Sequence, residues 1–397
     1  MRPFNLGLIV MQLIRRMLKM KYIRNLYLMC AIAFLQGFVF YGSVSTIYRQ
    51  HRGLSINSIF ILETIFVIIM FALEVPWGYV TDRIGYKFTL EISFLLFFIS
   101  KIVFYMAYSF TLFLLEAVIS AIAISGISGC DTALIYSSIN KKKSDKAFSY
   151  YGASGTCGFL IGSLLSSVIV KYSIDLTAFL TIIPYGLAFI VSMFLKEINE
   201  KCEIKEKISL KSSFITISKN KRIFIFIISM ALVSESTHAV CVFLNQPIYQ
   251  RSGIDIKYFG IITAAMQIMC LSSVRSFKLS EKFPMRNIYS AILMAIISAN
   301  IMLIFFSEWI IVLIMIAVIE GAFAISQPLS NTIQNKSINT SDRATLLSTY
   351  AMMGDIIASF SNLAIGHASD ISLNSALAVC AFLDIVSFAL IFIFYRN

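Results

Sequence analysis

Stretches of about 20 residues with little or no charge recur along the whole 397-residue chain, parted by short polar links. "SIFILETIFVIIMFALEVPW" (58–77) and "FTLEISFLLFFISKIVFYMAY" (88–108) are two, separated by "GYVTDRIGYK" (78–87). An apolar helix of roughly 20 residues spans the ~30 Å hydrocarbon layer of a bilayer. Backbone N–H and C=O groups there find no water, so only helices or closed barrels cross. Barrel strands are about ten residues long and alternate in polarity; these runs are longer and apolar on every face. Hydrophobic residues make up 58% and charged residues 14% of the chain, with a mean hydropathy of +0.82. Soluble domains are about half apolar and a quarter charged. The chain reads as an all-α polytopic membrane protein.

Twelve spans are expected: 25–46, 56–80, 88–108, 110–138, 149–171, 176–196, 222–247, 256–278, 287–306, 309–332, 346–367 and 372–395. They group into a cytoplasmic amphipathic segment (1–24), a six-helix bundle (25–196), a central cytoplasmic loop (197–221) and a second six-helix bundle (222–397). Lys and Arg concentrate on the cytoplasmic side of membrane proteins. With both termini inside, 26 of the 33 basic residues fall on that side and five (Arg49, Arg52, Lys171, Arg251, Lys257) on the other. The same bias accounts for the net charge of +12, so the charge implies no nucleic-acid partner. The seven cysteines show no metal-type spacing and read as packing residues. No cofactor or metal is expected.

The second half repeats the first. "IYRQHRGLSI" after the first span returns as "IYQRSGIDI" after the seventh, placing Gly53 and Gly253 200 positions apart. "TDRIGYK" is echoed by "SEKFPMR" at an offset of 199, and "SDKA" (144–147) by "SDRA" (341–344) at 197. Landmarks in the same order, at nearly constant offset, imply two parallel six-helix units around a central cavity.

With Gly78, Asp82, Arg83, Gly85 and Lys87 in place, "GYVTDRIGYK" resembles the signature between helices two and three of the major facilitator superfamily. Tyr86 replaces a usual basic residue. The match in helix number, termini and central loop covers essentially the whole chain, and "LEVPWG" and "SGCDTALIYSS" resemble one bacterial efflux branch. The resemblance implies alternating access in a bacterial cytoplasmic membrane, with helices one, four, seven and ten lining the cavity. It also implies that Asp82 faces the N-terminus of helix eleven across the two halves, where a carboxylate favours the dipole. The motif would then latch one access state. Gly78 would allow close helix approach, Gly85 the tight turn.

Ionisable groups inside spans mark pathways or paired partners. Glu63, Lys101 and Glu116 fall at one depth and are expected to form an ion-paired cluster. Glu235 and Glu320 fall near the midplane of cavity helices, with His238 beside Glu235, and are the candidates for proton coupling, with Asp131 added. Asp355 is a further candidate, to be paired with Arg275; Asp384 has no evident partner. Polar groups on cavity helices are Gln36, Tyr41, Tyr136, Asn245, Gln246, Gln327 and Asn331. No basic residue is expected in the cavity. Gly158 and Gly162, in G-x-x-x-G spacing, mark close packing.

These features imply a secondary transporter, expected to be a monomeric, proton-coupled (or sodium-coupled) exporter, an antiporter of drug-like, amphipathic or cationic compounds. A metabolite importer or lipid translocase of the same fold is the alternative. Two departures weigh against a standard drug antiporter: span four lacks a membrane Arg, and "GASGTCGFLIGSLLSS" in span five lacks the Gly-Pro pair. No nucleophile–base constellation points to an enzyme, and no G-x-x-x-x-G-K-[ST] loop to direct ATP drive. The orientation is checked by single cysteines in a cysteine-free background: an impermeant maleimide added to intact cells should label positions 55 and 252, and position 209 only after permeabilisation.

Overall fold

A computed structural model describes residues 24–139, 144–198, 221–270, 273, 276–338 and 343–396. The amphipathic N-terminal segment, most of the central loop, Arg275 and the start of "SDRA" lie outside the described residues. The first half contains α1 (Arg24–His51), α2 (Ile56–Ile84), α3 (Tyr86–Met106), α4 (Phe110–Ser138), α5 (Ser144–Ile169) and α6 (Ile174–Ser192). The second contains α7 (Lys221–Arg251), α8 (Ile256–Cys270), α9 (Met285–Phe305), α10 (Trp309–Lys336), α11 (Arg343–Ile371) and α12 (Leu373–Arg396). Ten of these are long and apolar enough to cross a membrane. The described part of α8 is shorter, and α11 carries polar residues along its length. Several helices overrun the expected edges, α2 to Ile84 and α5 back to Ser144. A helix satisfies its own backbone and continues into water at little cost.

The turns after α1 and α7 are built alike. Gly53 and Gly253 take φ of +89° and +73°, a conformation that costs glycine little. Gly53 N donates to Gln50 O and Leu54 N to Arg49 O; Gly253 N donates to Gln250 O and Ile254 N to Tyr249 O. Each turn is also clamped by an arginine. Arg52 is buried and donates to Asp175 Oδ1 of α6 at 2.7 Å and to Ala107 O at 3.4 Å. Arg251 donates to Asn374 Oδ1 of α12 and to Leu303 O, both at 2.5 Å. Each clamp stays within its own half.

The halves meet at this end. Asn57 Nδ2 of α2 donates to Asp370 Oδ2 of α11 at 2.6 Å. Ile261 N of α8 donates to Ser167 Oγ of α5 at 3.0 Å. A Cβ on Gly260 would lie 2.0 Å from Ser163 O, and one on Gly366 2.8 Å from Asn57 Oδ1. Such gaps are what small residues provide between membrane helices. One apolar core runs through both halves here, including Tyr48, Phe60, Phe243 and Tyr249. At the opposite end a separate core of Met29, Leu90, Phe94 and Leu134 belongs to the first half alone. Between described residues, the cross-half hydrogen bonds all lie at the Gly53 end. A Cβ at Gly78, Gly152 or Gly354, towards the other end, would meet nothing within 4 Å. The bundle is closed at the Gly53 end and parted at the Gly85 end.

Within the first half, Gly158 packs on α1: a Cβ there would sit 2.1 Å from Phe34 O, and one on Gly162 3.1 Å from Phe38 Cα. Because the obstacle facing Gly260 is backbone, Gly260→Leu should force α5 and α8 apart. We expect a loss of ~1–3 kcal/mol, the usual cost of overpacking, read as a lowered melting temperature in detergent, whereas Gly152→Leu should leave it unchanged.

Candidate functional site

Two of the cavity-side helices are irregular where they face each other. α1 is helical to residue 37, bends, makes one tight turn at Gly42–Val44 and resumes at Ser45–His51. Breaking a helix frees amides that hydrocarbon cannot satisfy. Phe40 N is taken by Thr181 Oγ1 of α6 at 3.1 Å. Thr46 N and Ile47 N are taken by Gln246 Oε1 of α7, at 2.8 and 3.2 Å. Gln246 Nε2 also reaches Ser45 Oγ at 3.4 Å, and its side chain is buried. α7 in turn widens into a π-helical stretch, Ala239–Leu244, between Glu235–His238 and Asn245–Gln246. Such bulges recur at functional sites.

Below the α1 break lies a cavity of about 160 Å³, lined by Tyr41, Arg49, Glu63, Phe97, Lys101 and Glu116 among others. Lys101 and Glu116 are both buried and lie 3.7 Å apart. Lys101 Nζ donates to Tyr41 Oη at 3.0 Å and sits 4.6 Å from the Phe97 ring centroid. Ser120 Oγ donates to Glu116 Oε1 at 2.8 Å. A buried pair must be well bonded to offset its desolvation, and this one has a hydroxyl partner on each side. Glu63 shares the cavity and lies within electrostatic reach of Arg49, Glu116 and, across the halves, His238 and Glu235. His238 Nδ1 is 3.3 Å from Glu235 Oε1, and Glu235 is buried. The charged centre of the molecule therefore joins α1, α2, α3, α4 and α7.

Several expectations need correction. Arg49, counted with the outer loops, lines the cavity, with its guanidinium 5.4 Å from the Phe104 ring centroid. A cavity without a base is thus ruled out; the arginine, in the last turn of α1, comes inside because the Gly53 turn lies beyond it. Glu320 does not join Glu235; it sits against Cys270 of α8 and near Cys241. Asp131 Oδ2 accepts from Tyr151 Oη of α5 at 3.0 Å, away from the central cluster. Asp355 lines a second, largely apolar cavity of about 270 Å³ between α2 and α11.

At the signature link, Asp82 and Arg83 are exposed, and Gly78 makes no close helix approach. The halves are parted at this end, and residues 339–342 ahead of α11 are not described. Arg83 Nη2 donates to Tyr79 Oη, and Lys87 pairs with Glu91 at 3.4 Å. The tight turn is present at Gly85, with φ +87°. Its first helical amides go to a residue the sequence did not single out: Tyr86 N and Lys87 N donate to Glu197 Oε1 and Oε2 at 3.2 and 2.9 Å. A carboxylate belongs at such a helix start, but Glu197 is over a hundred positions away and no local signal marks it.

Of the remaining polar candidates, Tyr41 stacks on Phe104 at 4.1 Å. Gln36 is half-buried, and its backbone carbonyl accepts from Tyr185 Oη at 3.1 Å. Asn245 Nδ2 donates to Cys241 O at 2.5 Å. Tyr136 is exposed towards the parted end, as is Asn331, and Gln327 is half-buried.

The sequence profile of the Major Facilitator Superfamily matches residues 26–362. No curated protein matches in sequence. Among solved structures, the nucleoside transporter NupG is 16% identical and covers 94% of this chain and 98% of its own, with a TM-score of 0.77. A bacterial homolog of the human lysosomal transporter Spinster, in an inward-facing, unoccupied conformation, is 14% identical over 96% and 97%, with a TM-score of 0.76. A D-xylose–proton symporter is 13% identical over 94% and 97%, with a TM-score of 0.71. At these identities the likeness is one of fold.

If Gln246 holds the closed end by satisfying α1, Gln246→Leu should weaken it by ~1–3 kcal/mol, the cost of leaving buried donors unmade. Spin-label distances between positions 55 and 252 should lengthen or broaden in that variant, with the distance across the Gly85 end shortening in concert.

Proposed function

Because the chain belongs to the Major Facilitator Superfamily, we propose that it is a proton-coupled secondary transporter of a small polar molecule, working by alternating access across a bacterial cytoplasmic membrane. The repeated turns, with arginine clamps at positions 52 and 251, support a fold of twelve crossings in two parallel repeats. With the basic links inside, the open Gly85 end faces the cytoplasm and the structure is the inward-open state. The opposite state would close α2 against α11 at Gly78 and bring Asp82 to the start of α11, the latch role assigned to the signature.

The observation that carries the reading is the cross-half charged cluster. Glu63 of the first half and the Glu235–His238 pair of the second lie within electrostatic reach of one another at the floor of the closed gate. Outward opening at Gln246 would separate them and admit water. A carboxylate in a closed, low-dielectric site favours its protonated form, and hydration reverses this, so the gate and the proton are linked. Glu235 is the coupling acid in this scheme, with Glu63 in place of Glu320.

Arg49 alters the direction we favour. Lys101 is already paired with Glu116, whereas buried Arg49 Nε has no hydrogen-bond partner. An arginine that lines the cavity and, among the described residues, forms no ion pair suits a substrate with an anionic or acceptor group, which supports uptake by symport. Export of cationic or amphipathic compounds is the second reading, supported by the three acids Glu63, Glu116 and Glu235.

Proteoliposomes enclosing a pH-sensitive dye test this. Nucleosides, pentoses, organic anions and cationic dyes are added outside in turn. A substrate should cause proton movement that falls roughly 5- to 150-fold in Glu63→Gln and in Glu235→Gln, the range of a ~1–3 kcal/mol coupling, while counterflow exchange persists. Undiminished proton movement in both variants would remove the cluster from the mechanism, and the sign of the pH change separates symport from antiport.

A further inference from the structure

Asp384 lies in the middle of α12 with no exposed surface, and its partners come from the same half. Asn300 Nδ2 of α9 donates to Asp384 Oδ2 at 2.7 Å, and Ser236 Oγ of α7 donates to the same oxygen at 3.0 Å. Asn300 and Ser236 are fully buried too. Asp384 Oδ1 has no partner, and neither has Asn300 Oδ1. Among the described residues no lysine, arginine or histidine forms an ion pair with Asp384. Of the helices packed on α12, α7 brings Glu235, whose charge reaches Cys380 one turn from Asp384, while the described residues of α9 and α11 bring no charge to bear on Asp384.

An ionised carboxylate in this position would have one oxygen bare, no counter-charge and no access to solvent, an arrangement proteins avoid. A neutral one resolves both bare atoms together. A carboxylic acid and a carboxamide form a cyclic pair: the amide N–H donates to one carboxyl oxygen, and the acid O–H donates back to the amide oxygen. The N–H arm is present at 2.7 Å. The two oxygens without partners, one on each residue, are the two that the O–H arm would join.

We propose that Asp384 is a proton-binding site of the second half, a neutral acid carrying its proton on Oδ1 and donating it to Asn300 Oδ1. One proton is taken up from solution and no other bond changes. The site lies inside one half, away from the parted surface, so this proton is resident and distinct from any that moves with substrate. Glu235, one residue before Ser236, turns instead to His238. The proposal stands independently of the transport reading.

Infrared spectroscopy of the full chain in nanodiscs, with aspartate side chains labelled with ¹³C, tests it. Near neutral pH, about three units above an ordinary aspartate's pKa, the parent should show a labelled protonated-carboxyl band that shifts in D₂O. The band should be absent in Asp384→Asn and displaced in Asn300→Leu. Asp384→Asn replaces the O–H arm with an N–H arm, so its melting temperature should stay within about 2 °C of the parent. A parent spectrum with labelled carboxylate only, or an acid band that survives Asp384→Asn, would overturn the proposal. So would a rise in the parent's melting temperature when sodium replaces choline that is lost in Asp384→Asn, because the two oxygens would then belong to a metal ion. Should Asp384→Asn fail to fold, persistence of the parent band from about pH 5 to 8 carries the proposal, and its absence there ends it.

Discussion

A helix broken inside hydrocarbon must find partners for the amides it frees, and in this protein α6 of the same half supplies one and the other half of the molecule supplies two. Thr46 N and Ile47 N would be stranded if the halves separated at the Gly53 end without replacement, since lipid offers no acceptor. Gln246 satisfies both through one side-chain oxygen. Closure at this end is thus tied to the integrity of α1, and opening requires that water reach the amides as the glutamine leaves. The charged cluster lies beneath, so in the proposed cycle the water that permits opening would also rehydrate Glu63, Glu235 and His238, and gate and coupling site would share one solvent.

The remaining cross-half hydrogen bonds between described residues join Asn57 to Asp370 and Ser167 to the Ile261 amide, beside close approaches at Gly260 and Gly366 and apolar packing such as Phe60 on Phe243. The arginine clamps, Arg52 with Asp175 and Arg251 with Asn374, are internal to each half. Such a division suits rigid bodies that rock against each other. At the Gly85 end, Glu197 fixes the start of α3 from within the first half, leaving Asp82 exposed in this state.

Helical class, the approximate spans and the matching Gly53 and Gly253 turns were legible because they are written locally, in apolar runs and in glycines at fixed offset. The pairing of Lys101 with Glu116 was also accessible, since depth within a span follows from residue count. What was not legible depends on contacts between distant segments. Arg49 read as a loop charge because only the fold shows how far α1 continues before turning. Glu320 and Glu235 looked equivalent by depth, yet they point towards different neighbours, and rotation about a helix axis is not set by depth. The α1 break carries no proline; it follows directly after Gly37, which packs so closely on α5 that a Cβ would lie 2.6 Å from Gly155 O. The parting at the Gly85 end depends on how the two halves sit against each other, which no local residue pattern specifies.

The π-helical stretch in α7 acts as a phase shifter. An α-helix advances about 100° per residue, so eleven residues make just over three turns. In an unbroken helix, Glu235 and Gln246 would therefore project in nearly the same direction. The extra residue that a π turn accommodates sets the two segments of α7 out of phase by roughly one residue's rotation. Glu235 can then address the charged cluster while Gln246 addresses the broken stretch of backbone in α1. Regular α-helical winding of the same eleven residues would bring the two side chains back to one direction and aim one of them at the wrong neighbour, which gives a geometrically irregular segment a definite job: keeping Glu235 and Gln246 of one helix in separate angular registers.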